Sequence, residues 1–203
     1  MLLENWIHAV LALFAIVNPI GNLPVFSEMT EDLDIKSRQS VFRIATLTGL
    51  VTLLVMTLTG KWIMSSVFQI DILEFRIAGG LLLTLIAMKY IVFSAARGAI
   101  HTSQTLQEII NLGAVPMAVP LLVGPGSIVT GILILDRDGY LITISAILAV
   151  FLFTWGLLFV SPWINRLLGK VGSIVVSRVL WIFLAAIGVH FLLTGIREYF
   201  HLP

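Results

Sequence analysis

Charged residues in this chain fall in short clusters, and between the clusters run apolar stretches of similar length. Glu4 and Glu28 are separated by 23 uncharged residues, Arg43 and Lys61 by 17, and Glu108 and Asp136 by 27. Asp138 and Arg166 also enclose 27, and Arg178 and Arg197 enclose 18. From Ile77 to Ala96 only Lys89 intervenes, late enough for its stem to carry the ammonium toward a headgroup. A bilayer core about 30 Å thick needs roughly 20 apolar residues per helix. The pattern therefore predicts six membrane spans. The stretches are continuously apolar and do not alternate, which favours helices over barrel strands. Trp6, Trp62, Tyr90, Tyr140, Trp163 and Tyr199 fall near the predicted ends, where amphipathic rings favour the interface.

Composition agrees with this reading. Of 203 residues, 59% are hydrophobic and 11% charged, and the mean hydropathy is +1.06. Soluble domains carry about 25% charged residues. Twelve basic and eleven acidic side chains leave a net charge of +1, so no nucleic-acid partner is expected and the bilayer is the expected surrounding. The absence of cysteine excludes disulfides, thiolate metal sites and cysteine nucleophiles. An HExxH zinc helix, a GxSxG elbow, an SxxK pair and a phosphate-cradling GxxxxGKS or GxxxxGKT loop are all missing. The chain reads as no enzyme, with no cofactor and no metal.

An acid precedes the first span and no small-residue cleavage site follows it, so a removable signal peptide is not expected. With the amino terminus outside, eight basic residues lie on the cytoplasmic side (Lys36, Arg38, Arg43, Lys89, Arg97, Arg166, Lys170, Arg178) and four on the other (Lys61, Arg76, Arg137, Arg197). The bias predicts both termini outside. The segment 27–40 reads as a solvated loop with a helix start.

A weak repeat spans three helices. Val17-Asn18-Pro19-Ile20-Gly21-Asn22 lies over Val123-Gly124-Pro125-Gly126-Ser127 at an offset of 106, and Arg76-Ile77 lies over Arg178-Val179 at an offset of 102. An odd number of spans per copy turns the second copy over in the membrane, giving an inverted repeat with a binding site between the halves. The chain divides into a first three-helix repeat at 1–93, a flexible cytoplasmic linker at 94–112 and a second, inverted repeat at 113–203. The expected fold is an all-α membrane protein of six helices whose first and fourth are discontinuous.

Those two helices hold the candidate site. Asn18-Pro19-Ile20-Gly21-Asn22-Leu23-Pro24 combines two prolines, each lacking an amide donor, with a glycine and two asparagines that accept unusual backbone angles. In the fourth span Pro120, Gly124, Pro125 and Gly126 repeat the interruption, and Ser127 stands where it could cap a new helix. Freed carbonyls and amides are costly in hydrocarbon, so such turns face protein or a wet cavity. A helix start offers amides and a positive dipole end to a carboxylate, and a helix end offers bare carbonyls to a cation. A short zwitterion fits two such poles. The competing reading is that the prolines only kink packed helices.

None of the eleven acids lies deep in a span, which argues against a cation-drug pump. His190 is the one titratable group near the middle of a span; it is either a neutral packed histidine or a gating or coupling residue. Gly79-Gly80, Gly156, Gly188 and Gly195 are expected to allow close helix packing. Thr46, Thr48, Thr52 and Thr57 either line a cavity or bond back within their helix. Arg76 and Arg178 read as interface anchors, with substrate binding as the alternative.

At NPIGNLPVF, VPLLVGPGSI and RIAGGLLLTLIAMK the chain resembles the MarC family of bacterial inner-membrane proteins, over nearly its whole length. The resemblance implies six spans in an inverted three-plus-three arrangement. It also implies, through SnatA-like members, alternating-access transport of small neutral amino acids such as glycine and alanine. The family motif falls here on Asn18, Pro19, Gly21, Asn22, Pro24, Pro120, Gly124, Pro125 and Gly126. The substrate-binding set is then Asn18, Pro19, Gly21, Asn22, Gly124, Pro125, Gly126 and Ser127. A channel or exporter for another small solute, or a non-transporting scaffold, remains the alternative. Sodium or a proton as coupling ion, and a homo-oligomer, stay open.

Overall fold

The computed structural model describes residues 2–30, 33–93 and 105–200, and all regular structure among them is helical. Helix α1 (Leu2–Val17) stops at Asn18, and α2 (Pro19–Met29) starts immediately after it. Helix α3 (Ile35–Trp62) runs into a π-helical turn, Ile63–Phe68, that ends on Gln69 in the left-handed region at φ 55°. Then follow α4 (Ile72–Phe93), α5 (Leu106–Leu112), a π-wound segment Gly113–Leu122, and α6 (Pro125–Tyr199). Of the expected linker, residues 94–104 lie outside the described residues, and Leu106–Leu112 is helical. The side chains of Pro24, Tyr90 and Trp163 also lie outside the described residues.

Helix α3 starts inside the segment read as a solvated loop, but residues 27–29 belong to α2. Ser27, Met29, Thr30 and Leu33 are buried against the core instead of lying in solvent. The Asp34 carboxylate accepts from the Lys36 amide at 3.1 Å and the Ser37 amide at 3.4 Å, which caps the helix. Hydrogen bonding by Ser37 holds the Asp34 carboxyl below its ordinary pKa of 3.8. The cap's contribution is therefore present above that pH and is lost as pH falls through the lowered value.

The two faces of α3 identify its solvent. Val41, Ala45, Thr46, Gly49, Thr57 and Gly60 are buried, whereas Leu47, Val51, Val55 and Leu58 are exposed. A helix in water carries polar residues on its outer face. An outer face of large aliphatics is the distribution that lipid favours, while the inner face mixes small and hydroxyl residues with Phe42 and Leu53. Among the described residues four stretches are long and apolar enough to cross a membrane: Leu2–Leu23, Ile35–Phe68, Pro125–Val160 and Arg178–Tyr199. Helix α4, at 22 residues, occupies the predicted third span, and Ile109–Leu122 is a shorter apolar helical stretch. The chain is an all-helical, multi-pass membrane protein.

Helix α6 is not one straight rod. Gly139 sits at φ +81°, where an L side chain would be strained, and turns the chain after Asp138. A Cβ added to Gly49 would meet both Phe151 and Val123, so the segments flanking Gly139 return alongside one another. The amino end of α1 braces this turn, with Asn5 Nδ2 donating to Asp138 at 3.2 Å and Trp6 Nε1 donating to Ser145 Oγ at 3.0 Å. Lys61 pairs with Asp136 at 2.7 Å on the same side.

The last part of α6 lies antiparallel to α4. Arg76 pairs with Glu198 at 2.8 Å, and the Arg178 guanidinium donates to the Ile91 carbonyl. Each arginine, expected only to anchor its own helix, therefore grips the far end of the other. A Cβ on Gly80 would come within 2.6 Å of the Gly188 carbonyl oxygen and 2.7 Å of the Leu192 amide nitrogen. Gly188 closes on Thr84, Gly195 on Ile77, and Gly79 receives the Pro125 ring. Four of the five glycines thus serve close packing. Gly156 does not, since nothing among the described residues lies within 4 Å of its added Cβ.

Gly80→Ala should destabilise the protein by about 1–3 kcal/mol, the usual cost of overpacking against a rigid neighbour. Gly156→Ala should be neutral or slightly stabilising, because a helix prefers alanine to glycine. Thermal unfolding of both variants in detergent measures the difference. Equal midpoints would refute the α4–α6 contact.

Candidate functional site

The first break is built by one residue. Asn18 takes φ 47°, a left-handed angle that asparagine tolerates better than most residues. Its amide completes α1 by donating to the Phe14 carbonyl at 2.9 Å, and Pro19 opens α2 where a missing amide costs nothing. Asn18 Oδ1 then accepts from the Gly21 amide at 3.1 Å. A Cβ on Gly21 would strike that same side chain at 2.3 Å, so glycine is what allows the cap. The Gly21 amide is thus used within the turn, and so is the Asn22 amide after it, which donates to the Asn18 carbonyl at 3.0 Å.

The second break is longer. Val115 and Val119 leave helical angles, their bonds to Pro116 and Pro120 are cis, and Val123 closes the π-wound segment through a bond to the Ala118 carbonyl. Gly124 is the N-cap of α6, without a side-chain bond, and Pro125 follows at the first turn. Ser127 does not cap this helix. Its hydroxyl donates back to the Gly124 carbonyl at 2.8 Å, while the Ile128 amide takes the first helical bond to the same oxygen. Helix geometry leaves the Gly126 and Ser127 amides without intrahelical acceptors, at the positive end of the dipole.

Asn22 joins the two breaks. Its side chain is 1% exposed. Nδ2 donates to the Val17 carbonyl at 3.0 Å and to the Leu121 carbonyl at 3.1 Å. Carbonyls expected to be bare at both helix ends are therefore taken by one amide group. Its Oδ1 is buried and finds no hydrogen-bond partner among the described residues.

A cavity of about 30 Å³ lies at this junction. Asn18, Asn22, Gly124, Gly126 and Ser127 line it, together with Pro120 and Leu121. Pro19, Gly21 and Pro125 do not: Gly21 shapes the Asn18 turn, and the Pro125 ring packs into the space left by Gly79. The remaining wall is apolar, from Ile16, Leu83, Leu184, Ile187 and Phe191. No polar or breaking signal marks these residues in the sequence, so pattern reasoning missed them. Phe191 stands over the α6 start, its ring 2.3 Å from where a Gly126 Cβ would be. His190 is exposed and does not line the cavity. Thr46 bonds back to the Phe42 carbonyl at 2.8 Å, as one of its two readings had it. Thr57 lies against Gly131, its hydroxyl buried without a partner among the described residues.

Such a junction offers donors from Gly126 and Ser127 and an acceptor from Asn22 Oδ1, in an apolar shell without a charged side chain. A volume near 30 Å³ is about one water's share of the liquid. An amino acid enters only if the walls separate.

Asn22→Leu should leave two carbonyls unpaired and cost about 1–3 kcal/mol for each. Asn18→Ala should cost only about 1 kcal/mol, the worth of a helix cap. Midpoints of thermal unfolding compare them, and a smaller loss for Asn22→Leu than for Asn18→Ala would remove Asn22 from its bridging role.

Comparison with known proteins places these features in a family. The match to the MarC family integral membrane proteins covers residues 3–200. The UPF0056 membrane protein YhcE of Escherichia coli is 34% identical over 196 residues, covering 94% of this chain and 91% of the relative. A UPF0056 membrane protein of Pyrococcus horikoshii is 33% identical over 189 residues, covering 93% and 92%. Another, from Methanocaldococcus jannaschii, is 32% identical over 202 residues, covering 96% and 97%. No solved structure matches the chain. With both broken helices inside a match that runs almost from end to end, the chain belongs to the MarC family of integral membrane proteins.

Proposed function

We propose that the chain is a secondary transporter, not an enzyme, that moves small neutral amino acids by alternating access. The substrate sits between the two helix breaks. The observation that carries this reading is Asn22 Oδ1, a buried acceptor without a partner among the described residues, in the wall of a cavity that the uncapped start of α6 also lines. The substrate carboxylate takes the Gly126 and Ser127 amides, and its ammonium takes Asn22 Oδ1. Two such poles select a short zwitterion without a buried charge, and the tight apolar wall favours the smallest side chains.

The same reading includes six spans in two inverted repeats. Its support is the likeness of the breaks and of the third helices. Asn18-Pro19 and Gly124-Pro125, aligned in sequence, both place proline just inside a helix start. Arg76 and Arg178, also aligned, bind reciprocally across α4 and the end of α6. The protein then lies in the bacterial inner membrane with both termini outside, on the balance of basic residues. The narrow cavity corresponds to a closed conformation, and withdrawal of Phe191 from Gly126 opens it.

Radiolabelled glycine uptake into proteoliposomes, with and without sodium and pH gradients, tests the proposal. Saturable uptake blocked by alanine is expected from the wild type. Gly126→Leu, whose side chain would displace Phe191 and fill the cavity, should fall to background while remaining in the membrane. Flat wild-type uptake from folded protein under every gradient would end the amino-acid reading. Linear, non-saturating flux would instead favour a channel.

A further inference from the structure

A second pair of hollows lies along α3, on a different set of residues from the cavity between the breaks. The outer one, about 310 Å³, is bounded by Lys36, Gln39, Ser40 and Arg43 on α3 and by Trp155 and Phe159 on α6. The inner one, about 400 Å³, shares Arg43 and Trp155 with it and continues between Leu47 and Leu50 on one wall and Leu148 and Leu152 on the other. Together they form one open groove, cationic and polar at its outer end and almost wholly apolar beyond.

Three observations say what fills it. Among the described residues no carboxylate lines either hollow, and neither Lys36 nor Arg43 joins a salt bridge. Three other cations are engaged: Lys61 with Asp136, Arg76 with Glu198, and Arg137 with Asp138. The depth also fits. Arg43 and Lys61 bound the 17-residue uncharged stretch of α3. At 1.5 Å per residue that stretch is about 26 Å long, close to a hydrocarbon core. Arg43 therefore stands at the level of lipid phosphates, where Trp155 is also at home. Finally, the apolar arm runs from that level inward along the helix, the direction an acyl chain takes from its headgroup.

We propose that this groove binds an anionic glycerophospholipid, with its phosphate against Lys36 and Arg43 and one acyl chain between Leu47 and Leu152. Selection is by charge. A zwitterionic headgroup brings its own cation beside two unneutralised ones, whereas a net-negative headgroup complements them. The site stands apart from the transport reading, since its lining residues and those of the cavity do not overlap.

Native mass spectrometry of the purified full chain, titrated with lipid in detergent, tests the assignment. The probes are phosphatidylglycerol, phosphatidylcholine with the same acyl chains, and glycerol phosphate as a free head. Phosphatidylglycerol should bind more tightly than phosphatidylcholine, and glycerol phosphate should not bind in the same range. Arg43→Gln should weaken phosphatidylglycerol about fivefold, the usual share of one basic residue at an anionic surface. Lys61→Gln, at the other end of the same helix, should leave it unchanged. Equal binding of the two lipids to wild type overturns the proposal without any variant. Binding of glycerol phosphate as tight as that of the lipid would reduce the groove to a phosphate site, and wild-type affinity in Arg43→Gln would move the headgroup elsewhere.

Discussion

The structure depends on how one carboxamide resolves the cost of breaking helices inside a membrane. Interrupting α1 and the segment before α6 frees carbonyls at Val17 and Leu121, and hydrocarbon has no water with which to pair them. Asn22 Nδ2 donates to both. A single side chain thereby satisfies two chain ends that are 104 residues apart in sequence, and the breaks must lie side by side to be tolerated at all. An alanine there would leave both carbonyls bare, and a charged residue would add a desolvation cost that no partner in this apolar shell offsets.

Around that joint the helices are held by close approach. Lipid tails are as apolar as leucine side chains, so burying leucine against leucine gains little in a bilayer. Gly80 against the Gly188 carbonyl, Gly79 against Pro125 and Gly49 against Phe151 bring backbones and rings to distances that side chains would forbid. The same logic sends Leu47, Val51 and Val55 of α3 outward, where they meet lipid. Arg76 and Arg178 add two crossed fastenings at opposite ends of the α4–α6 contact.

The polarity of the junction comes from backbone and amide dipoles, not from ionised side chains. Gly126, Ser127 and Asn22 line a space bounded also by Phe191, Ile187 and Leu83, and Asn22 Oδ1 has no partner among the described residues. Dipoles fixed by the fold cost no reorganisation when a ligand arrives. On the proposed reading, such an arrangement holds the opposite charges of a small molecule without the desolvation cost of a buried carboxylate or ammonium of its own.

The sequence by itself determined the class of the molecule and the location of its irregularities. Uncharged runs of 17 to 27 residues announce membrane helices, because only an apolar surface is stable in lipid. Proline, glycine and asparagine clustered at 18–24 and 120–126 announce breaks, because local backbone chemistry obliges them. Local chemistry could not say which donor meets which carbonyl. That Asn18 spends its oxygen on Gly21, that Ser127 turns back to Gly124, and that Asn22 reaches across were decided by tertiary packing. So were the role of Phe191 as a wall and the outward position of His190, its neighbour in sequence. Helical rotation sets adjacent residues about 100° apart, and only the packed neighbours determine which of the two faces the interior.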